Sequence, residues 1–162
     1  MIVKKVKKEV VLVLPDIRSA LNVGSIFRTA DAVGVAKVYL TGYTPAPVDH
    51  FGRVNRQIAK TALGAEKSLA WEKVAKTGSL LSGLKKAGFK LVAVEQAKKA
   101  IDYKKVKLGP KTALIFGNET EGLAKKVLNQ CDLIAEIPMR GWKESLNVSV
   151  SVGIVLFRLL DK

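Results

Sequence analysis

Residues 9–40 read EVVLVLPDIRSALNVGSIFRTADAVGVAKVYL. Glu9 to Leu14 is a β-branched run, apolar without alternation, as a strand buried on both faces is. Pro15-Asp16 stops it. From Ala20 to Val33 the residues Val23, Ile26, Phe27, Ala30 and Val33 return at helical spacing, and Gly34 is placed to cap the C-terminus. Lys37 to Leu40 is a second strand. Outward from this unit the alternation continues. A loop rich in Gly, Pro, Thr and Asp runs from Thr41 to about Gly52. A short strand is expected in Glu66–Trp71, a helix from Ser79 to Ala87 ended by Gly88, and strands at Phe89–Val94 and Thr112–Phe116. A helix from about Gly122 to Leu128, a strand at Leu133–Ile137 and a long apolar helix over Asn147–Leu160 complete the chain. Strands alternating with helices predict one α/β domain over residues 1–162, with a mainly parallel sheet and helices on both faces.

The 162 residues carry 28 basic and 14 acidic side chains, a formal charge of +14. Such an excess points to a polyanionic partner, usually nucleic acid; the alternative is a lysine-rich surface. The lysines form small groups: Lys4, Lys5, Lys7 and Lys8; Lys98 and Lys99; Lys104, Lys105 and Lys107; Lys125 and Lys126. No apolar run reaches the roughly 20 residues of a membrane span. The start, MIVKKVKKEVVLVLPD, reads as a strand behind a basic lead rather than a signal peptide, so a cytoplasmic location is expected. With one cysteine, Cys131, and one histidine, His50, no internal disulfide or Cys/His zinc site can be built. His50 lies in a Gly/Pro-bearing stretch and reads as a loop residue. Cys131, beside Leu133-Ile134-Ala135, reads as a small core residue rather than a nucleophile.

Ligands of parallel sheets bind beyond the carboxyl ends of the strands. Four such ends are unusual here: Asp16-Ile17-Arg18, Val94-Glu95-Gln96, Phe116-Gly117-Asn118-Glu119-Thr120-Glu121-Gly122, and Ile137-Pro138-Met139-Arg140-Gly141. There is no GxGxxG and no GxxxxGK[ST], which argues against dinucleotide and P-loop sites. Asn118 to Glu121 reads either as a capping turn or as a ligand loop. Ser145 or Asn147 is either the N-cap of the last helix or part of an anion site. Asn22 and Arg28, six residues apart, would differ by about 240° around the axis if both are helical and so need not share a face; Asn22 is alternatively placed at the helix start. Arg28 lies among apolar neighbours, which fits an internally paired arginine or one aimed at a ligand.

Three segments together resemble the motifs of the SpoU/TrmH family. Asn22-Val23-Gly24-Ser25-Ile26-Phe27-Arg28-Thr29-Ala30-Asp31 resembles the first and Ile115 to Leu123 the second. Ile137-Pro138-Met139-Arg140-Gly141 with Ser145-Leu146-Asn147-Val148-Ser149-Val150 resembles the third. The order is right, and Glu119 and Ser145 are 26 residues apart, as the family spacing requires. Ser151, where many members carry alanine, is a small departure; a larger one is the absence of an added N-terminal RNA-binding domain. The resemblance implies S-adenosylmethionine-dependent methylation of a ribose 2′-hydroxyl and a C-terminal trefoil knot spanning Leu114 to about Val150. It implies cofactor contacts at Val94, Glu95, Gly117, Ile137, Met139 and Leu146. Catalytic roles are implied for Asn22, Arg28, Glu119, Ser145 and Asn147. It also implies a homodimer, with the helices from Asn22 and Asn147 as candidate interface.

No metal is needed, because the cofactor carries the reactive group. The candidate proton acceptors are Glu119, Arg28 or a phosphate of the RNA; Arg28 is either that base or a clamp on the adjacent phosphate, and the chemistry of guanidinium favours the clamp. Glu119 would fix the cofactor loop. Ser145 would bind phosphate, with Asn22 and Asn147 orienting Arg28 or the ribose. The loop Pro45–Arg56, with His50, Phe51, Arg53 and Arg56, is a candidate RNA contact through stacking and phosphates. The basic groups would anchor RNA non-specifically. Trp142 is left between covering the cofactor and packing the knot. Small family members favour tRNA as substrate, with rRNA the alternative. A non-catalytic RNA binder, a base methyltransferase and an NAD- or ATP-binding enzyme are the rival readings.

Overall fold

Buried on both faces, the EVVLVLP run pairs with parallel neighbours on both sides. In the computed structural model, which describes residues 7–161, β1 (Glu9–Pro15) lies between β2 (Lys37–Thr41) and β6 (Lys111–Phe116). The remaining strands are β3 (Trp71–Val74), β4 (Lys90–Val94), β5 (Ile101–Asp102) and β7 (Leu133–Glu136). Among the described residues, seven strands form one all-parallel sheet in the order β3-β2-β1-β6-β4-β7-β5.

Strand side chains alternate between two cores, which is why apolar residues run without a break. Val10, Leu12, Leu14, Leu114 and Phe116 pack on one face against α1 (Ala20–Val33) and α6 (Val148–Leu160). Val11, Val13, Ala113 and Ile115 pack on the other, against α4 (Thr77–Lys86) and α5 (Lys125–Gln130). Helix α1 has the predicted bounds because its signals are local. Ser19 accepts from the Asn22 amide, and Gly34 takes a left-handed conformation, φ 82°.

Four elements differ from expectation. The strand expected in Glu66–Trp71 is a helical turn, α3 (Ala65–Ser68), followed by β3, which begins only where Trp71 meets Val38 of β2. Helix α2 (Arg56–Ala62) arises in a segment for which the sequence suggests no element; Asn55 caps it by accepting from Gln57 and Ile58. Its apolar anchors are only Ile58 and Ala62, too few to register as a periodic pattern. Strand β5, two residues at the sheet edge, has no sequence signature. The helix expected from Gly122 starts at Lys125, because Gly122 closes a turn at φ 66° against Asn118. Lys4 and Lys5 lie outside the described residues.

Cys131 is half-buried, its Sγ donating to the Val127 carbonyl at 3.3 Å. Burial, aided by Asp132 and opposed by Lys85, pushes its thiol up to about 11. The native protein is therefore expected to react with a thiol reagent at pH 8 far more slowly than the urea-unfolded chain; equal rates would contradict this. Among the described residues no helix is long and apolar enough to cross a membrane.

Candidate active site

Strands β4, β6 and β7 end side by side, and their C-terminal residues open a cavity of about 280 Å³. That is near the lower edge of the ~300–1,000 Å³ typical of small-molecule sites. Val94, Glu95, Gly117, Ile137, Met139 and Leu146, the six residues assigned to the cofactor from the sequence motifs, all line it. Glu119 and Ser145 line it too. Gly117 is required by packing: a Cβ there would lie 2.6 Å from the Gly122 carbonyl carbon. Glu95 closes the same turn, accepting from the Leu123 amide at 2.8 Å.

Among the described residues the cavity wall carries Glu95, Glu119, Glu136 and Glu144 and no basic side chain, in a chain of net charge +14. Such a lining repels phosphates and favours a cation. It fits the sulfonium and ammonium of S-adenosylmethionine better than a nucleotide phosphate.

Glu119 does not cap its own turn. It reaches about 100 residues back in sequence to the N-terminus of α1, accepting from the Arg18 amide at 3.2 Å, the Ser19 amide at 3.3 Å and Asn22 Nδ2 at 3.2 Å. Burial pushes its carboxyl up, but hydrogen bonds from its own amide, Arg18, Asn22 and Ser19 outweigh this and hold it below the ordinary 4.5. A carboxylate so held is a poor proton acceptor. Asn22 Oδ1 in turn accepts from Asn147 Nδ2 at 3.2 Å. Asn147 is also the N-cap of α6, accepting from Ser149 N at 2.9 Å and Ser149 Oγ at 2.6 Å. Asn147 thus caps α6 and is tied through Asn22 to Glu119. Ser145 is exposed at the cavity mouth.

Arg28 is not brought to this cluster. It is exposed, does not line the cavity, and lies six residues beyond Asn22, a rise of about 9 Å along α1. Arg53 and Arg56 are also exposed and away from the cavity. Arg53 pairs with Asp49 at 2.7 Å and stands 4.8 Å over the Phe51 ring, which lies 3.9 Å from His50. Trp142 is fully exposed and neither covers the cavity nor packs into the core within one chain.

Sequence reasoning gave no individual role to three side chains of the site. Asn118, buried, donates to the Asp16 carbonyl at 2.6 Å and to the Tyr43 hydroxyl at 2.7 Å. Its Oδ1 accepts from Thr120 N, Thr120 Oγ1 and Glu121 N, shaping the loop as an Asx turn. An asparagine two residues before Thr120 was the available signal for that turn. Tyr43 and the Arg18 side chain meet there as well, with Arg18 Nε 3.5 Å from the Tyr43 hydroxyl.

A family model described as the SpoU rRNA Methylase family matches residues 9–157. The chain belongs to this family. It is 34% identical over 145 residues to the 23S rRNA (guanosine-2'-O-)-methyltransferase RlmB of Neisseria meningitidis serogroup B, covering 90% of this chain and 55% of that one. Its fold resembles an AdoMet-bound rRNA methyltransferase from Sinorhizobium meliloti with a TM-score of 0.84 at 28% identity, over 93% of this chain and 55% of the other. A TrmH/SpoU tRNA modifying enzyme of A. aeolicus gives a TM-score of 0.81 at 30% identity, over 94% and 74% of the two chains. The chain thus spans little more than half the length of the Neisseria relative.

Proposed function

We propose that this protein transfers a methyl group from S-adenosylmethionine to a ribose 2′-hydroxyl of RNA, tRNA being the favoured substrate. The cavity of four glutamates with no basic side chain among the described residues, inside a strongly basic chain, is the observation that carries this reading. Bound there, the cofactor would offer a methyl on a cationic sulfur that leaves as a neutral thioether. Val94, Gly117, Ile137, Met139 and Leu146 would hold it, and the cavity carboxylates would keep RNA phosphates out while admitting a ribose at the mouth. Glu119 anchors the loop to α1, and its depressed pKa makes it an unsuitable base, so the 2′-hydroxyl proton would pass to solvent water at the cavity mouth as the C–O bond forms and the C–S bond breaks. Ser145 would bind a phosphate oxygen, and Asn147 would orient Asn22 and the ribose.

Arg28 would be a clamp on phosphate and on the developing alkoxide, since guanidinium stays protonated. Its own chain does not deliver it, so the reading includes a homodimer in which the partner's Arg28 completes the site. Leu21, Val150 and Phe157 on α1 and α6, 42%, 48% and 46% exposed, supply an apolar face for that contact. Phe157→Asp is expected to turn a dimer into a monomer in sedimentation and to cut methyl transfer at least ~10-fold, because it buries a charge at an apolar interface. A variant that stays dimeric would place the interface elsewhere.

The reading also includes the knot. Strand β4 lies between β6 and β7, so the chain leaving β6 must pass over β4 to reach β7. It then returns to the α1 face as α6, and Gln96 Nε2 donates to the Glu144 carbonyl where the two loops meet. RNA would be gripped by the basic surface and by Arg53 and Arg56. The test is transfer of labelled methyl into unmodified tRNA and rRNA pools in parallel. Label in the tRNA pool supports the whole reading, and label in rRNA alone moves the substrate. No label in either, with cofactor binding intact, makes the protein an RNA-binding module instead.

A further inference from the structure

Arg18 lies three residues beyond the end of β1, and its backbone amide is bound by Glu119 whatever its side chain does. The side chain is 57% exposed, and its partners hold it loosely: Nε is 3.5 Å from the Tyr43 hydroxyl and Nη2 is 3.5 Å from Glu121, itself 74% exposed. An ion pair this long and exposed contributes little. The Tyr43 hydroxyl accepts from both Asn118 Nδ2 and Arg18 Nε, which leaves its own proton to be donated outward. Tyr43 is 54% exposed yet rigidly presented. Asp16 Oδ1 accepts from its amide at 3.0 Å, and Lys73 Nζ donates to the flanking carbonyls of Gly42 and Thr44. A guanidinium and a hydroxyl proton therefore stand together on the rim of a cavity that Asn118 and Glu119 line. The α1 N-terminus beside them is already filled by Glu119, so an incoming anion meets these side chains rather than helix amides.

We infer that Arg18 and Tyr43 bind a phosphodiester of the RNA strand next to the target ribose, with Glu121 as the carboxylate the phosphate displaces from Arg18. This rests on the proposed methyl transfer to RNA, and it gives each chain a phosphate contact of its own beside the cavity, independent of Arg28. Two donors a hydrogen bond apart suit two oxygens of one phosphate, the geometry for which arginine is the best residue.

The test is equilibrium binding of the full chain to unmodified tRNA and rRNA transcripts across a salt series, with calorimetry of S-adenosylmethionine binding and thermal melting alongside. Arg18→Ala is expected to weaken RNA binding about 10-fold and to make the salt slope shallower by about one, with cofactor affinity and melting unchanged. Arg18→Lys restores the slope but only part of the affinity. Tyr43→Phe weakens binding about 3-fold at an unchanged slope, and Glu121→Gln tightens it. In the RNA that accepts the methyl, Arg18→Ala raises KM more than it lowers kcat. Unchanged RNA affinity and slope in Arg18→Ala would overturn the inference, as would Glu121→Gln weakening RNA binding to the same extent. Because binding is read without turnover, absence of methyl transfer overturns the proposed activity, while a flat salt response overturns only this contact.

Discussion

Arg28→Ala is expected to lower kcat by about 10²–10³-fold, the loss typical of removing one preorganised donor to developing charge, while S-adenosylmethionine binds as before. The cofactor should be indifferent, since Arg28 is exposed on α1 and does not line the cavity. The sharper consequence is complementation. Mixed with a Glu119→Ala chain, which keeps Arg28 but has a damaged cavity, Arg28→Ala should regain activity. Random exchange at equal amounts puts half the chains in mixed dimers with one sound site each, so roughly a quarter of the wild-type rate is expected. Wild-type kcat in Arg28→Ala would remove it from the mechanism. Full loss without rescue would place Arg28 and Glu119 in the same site of one chain.

Glu119→Ala should damage stability and function together. It strands the Arg18 and Ser19 amides and Asn22 Nδ2, three donors now satisfied by one carboxylate. Leaving such donors without an acceptor costs about 1–3 kcal/mol, or roughly 3–10 °C in Tm for a domain of this size. Cofactor affinity should fall as well, because the loop from Gly117 to Gly122 loses its tie to α1. Glu119→Gln separates shape from charge. The folded carboxyl lies below its ordinary 4.5, so its ionised form stabilises the fold. That contribution is complete above the unfolded value and is lost as pH falls through the lower folded value. The stability gap between wild type and Glu119→Gln should therefore be open at pH 7 and close in the acid range below about 4.5. A gap that widens on acidification would mean that the carboxyl is raised, not lowered.

How much of this was legible depends on the reach of each contact. Helix α1 was readable to both ends because Ser19, the apolar stripe and Gly34 act within a turn or two of one another. The strands were readable because burial on both faces leaves them apolar throughout. Helix α2 was not, since two apolar residues and an asparagine cap make no pattern until α1 packs on them at Gly24, where a Cβ would meet the Ile58 carbonyl oxygen at 2.4 Å. The cavity residues were found through motifs, and the geometry then showed why they gather: three parallel strands end together. The ties among Asp16, Tyr43 and Asn118 span 75 and 102 residues, and that of Glu119 to Arg18 spans 101. No local pattern encodes such pairs, so Asn118 read only as part of a capping turn or ligand loop and Tyr43 did not stand out at all. The distance of Arg28 from the cavity was foreshadowed by its turn of about 240° from Asn22.

The most direct test of the central claim is the position of the methyl. RNA labelled by the protein from S-adenosylmethionine is digested with alkali, which needs a free 2′-hydroxyl to cleave the strand. Label recovered in an alkali-resistant dinucleotide is the predicted result and fixes the acceptor as a ribose oxygen. Label recovered in ordinary mononucleotides would put the methyl on a base and contradict the account of how this cavity meets RNA.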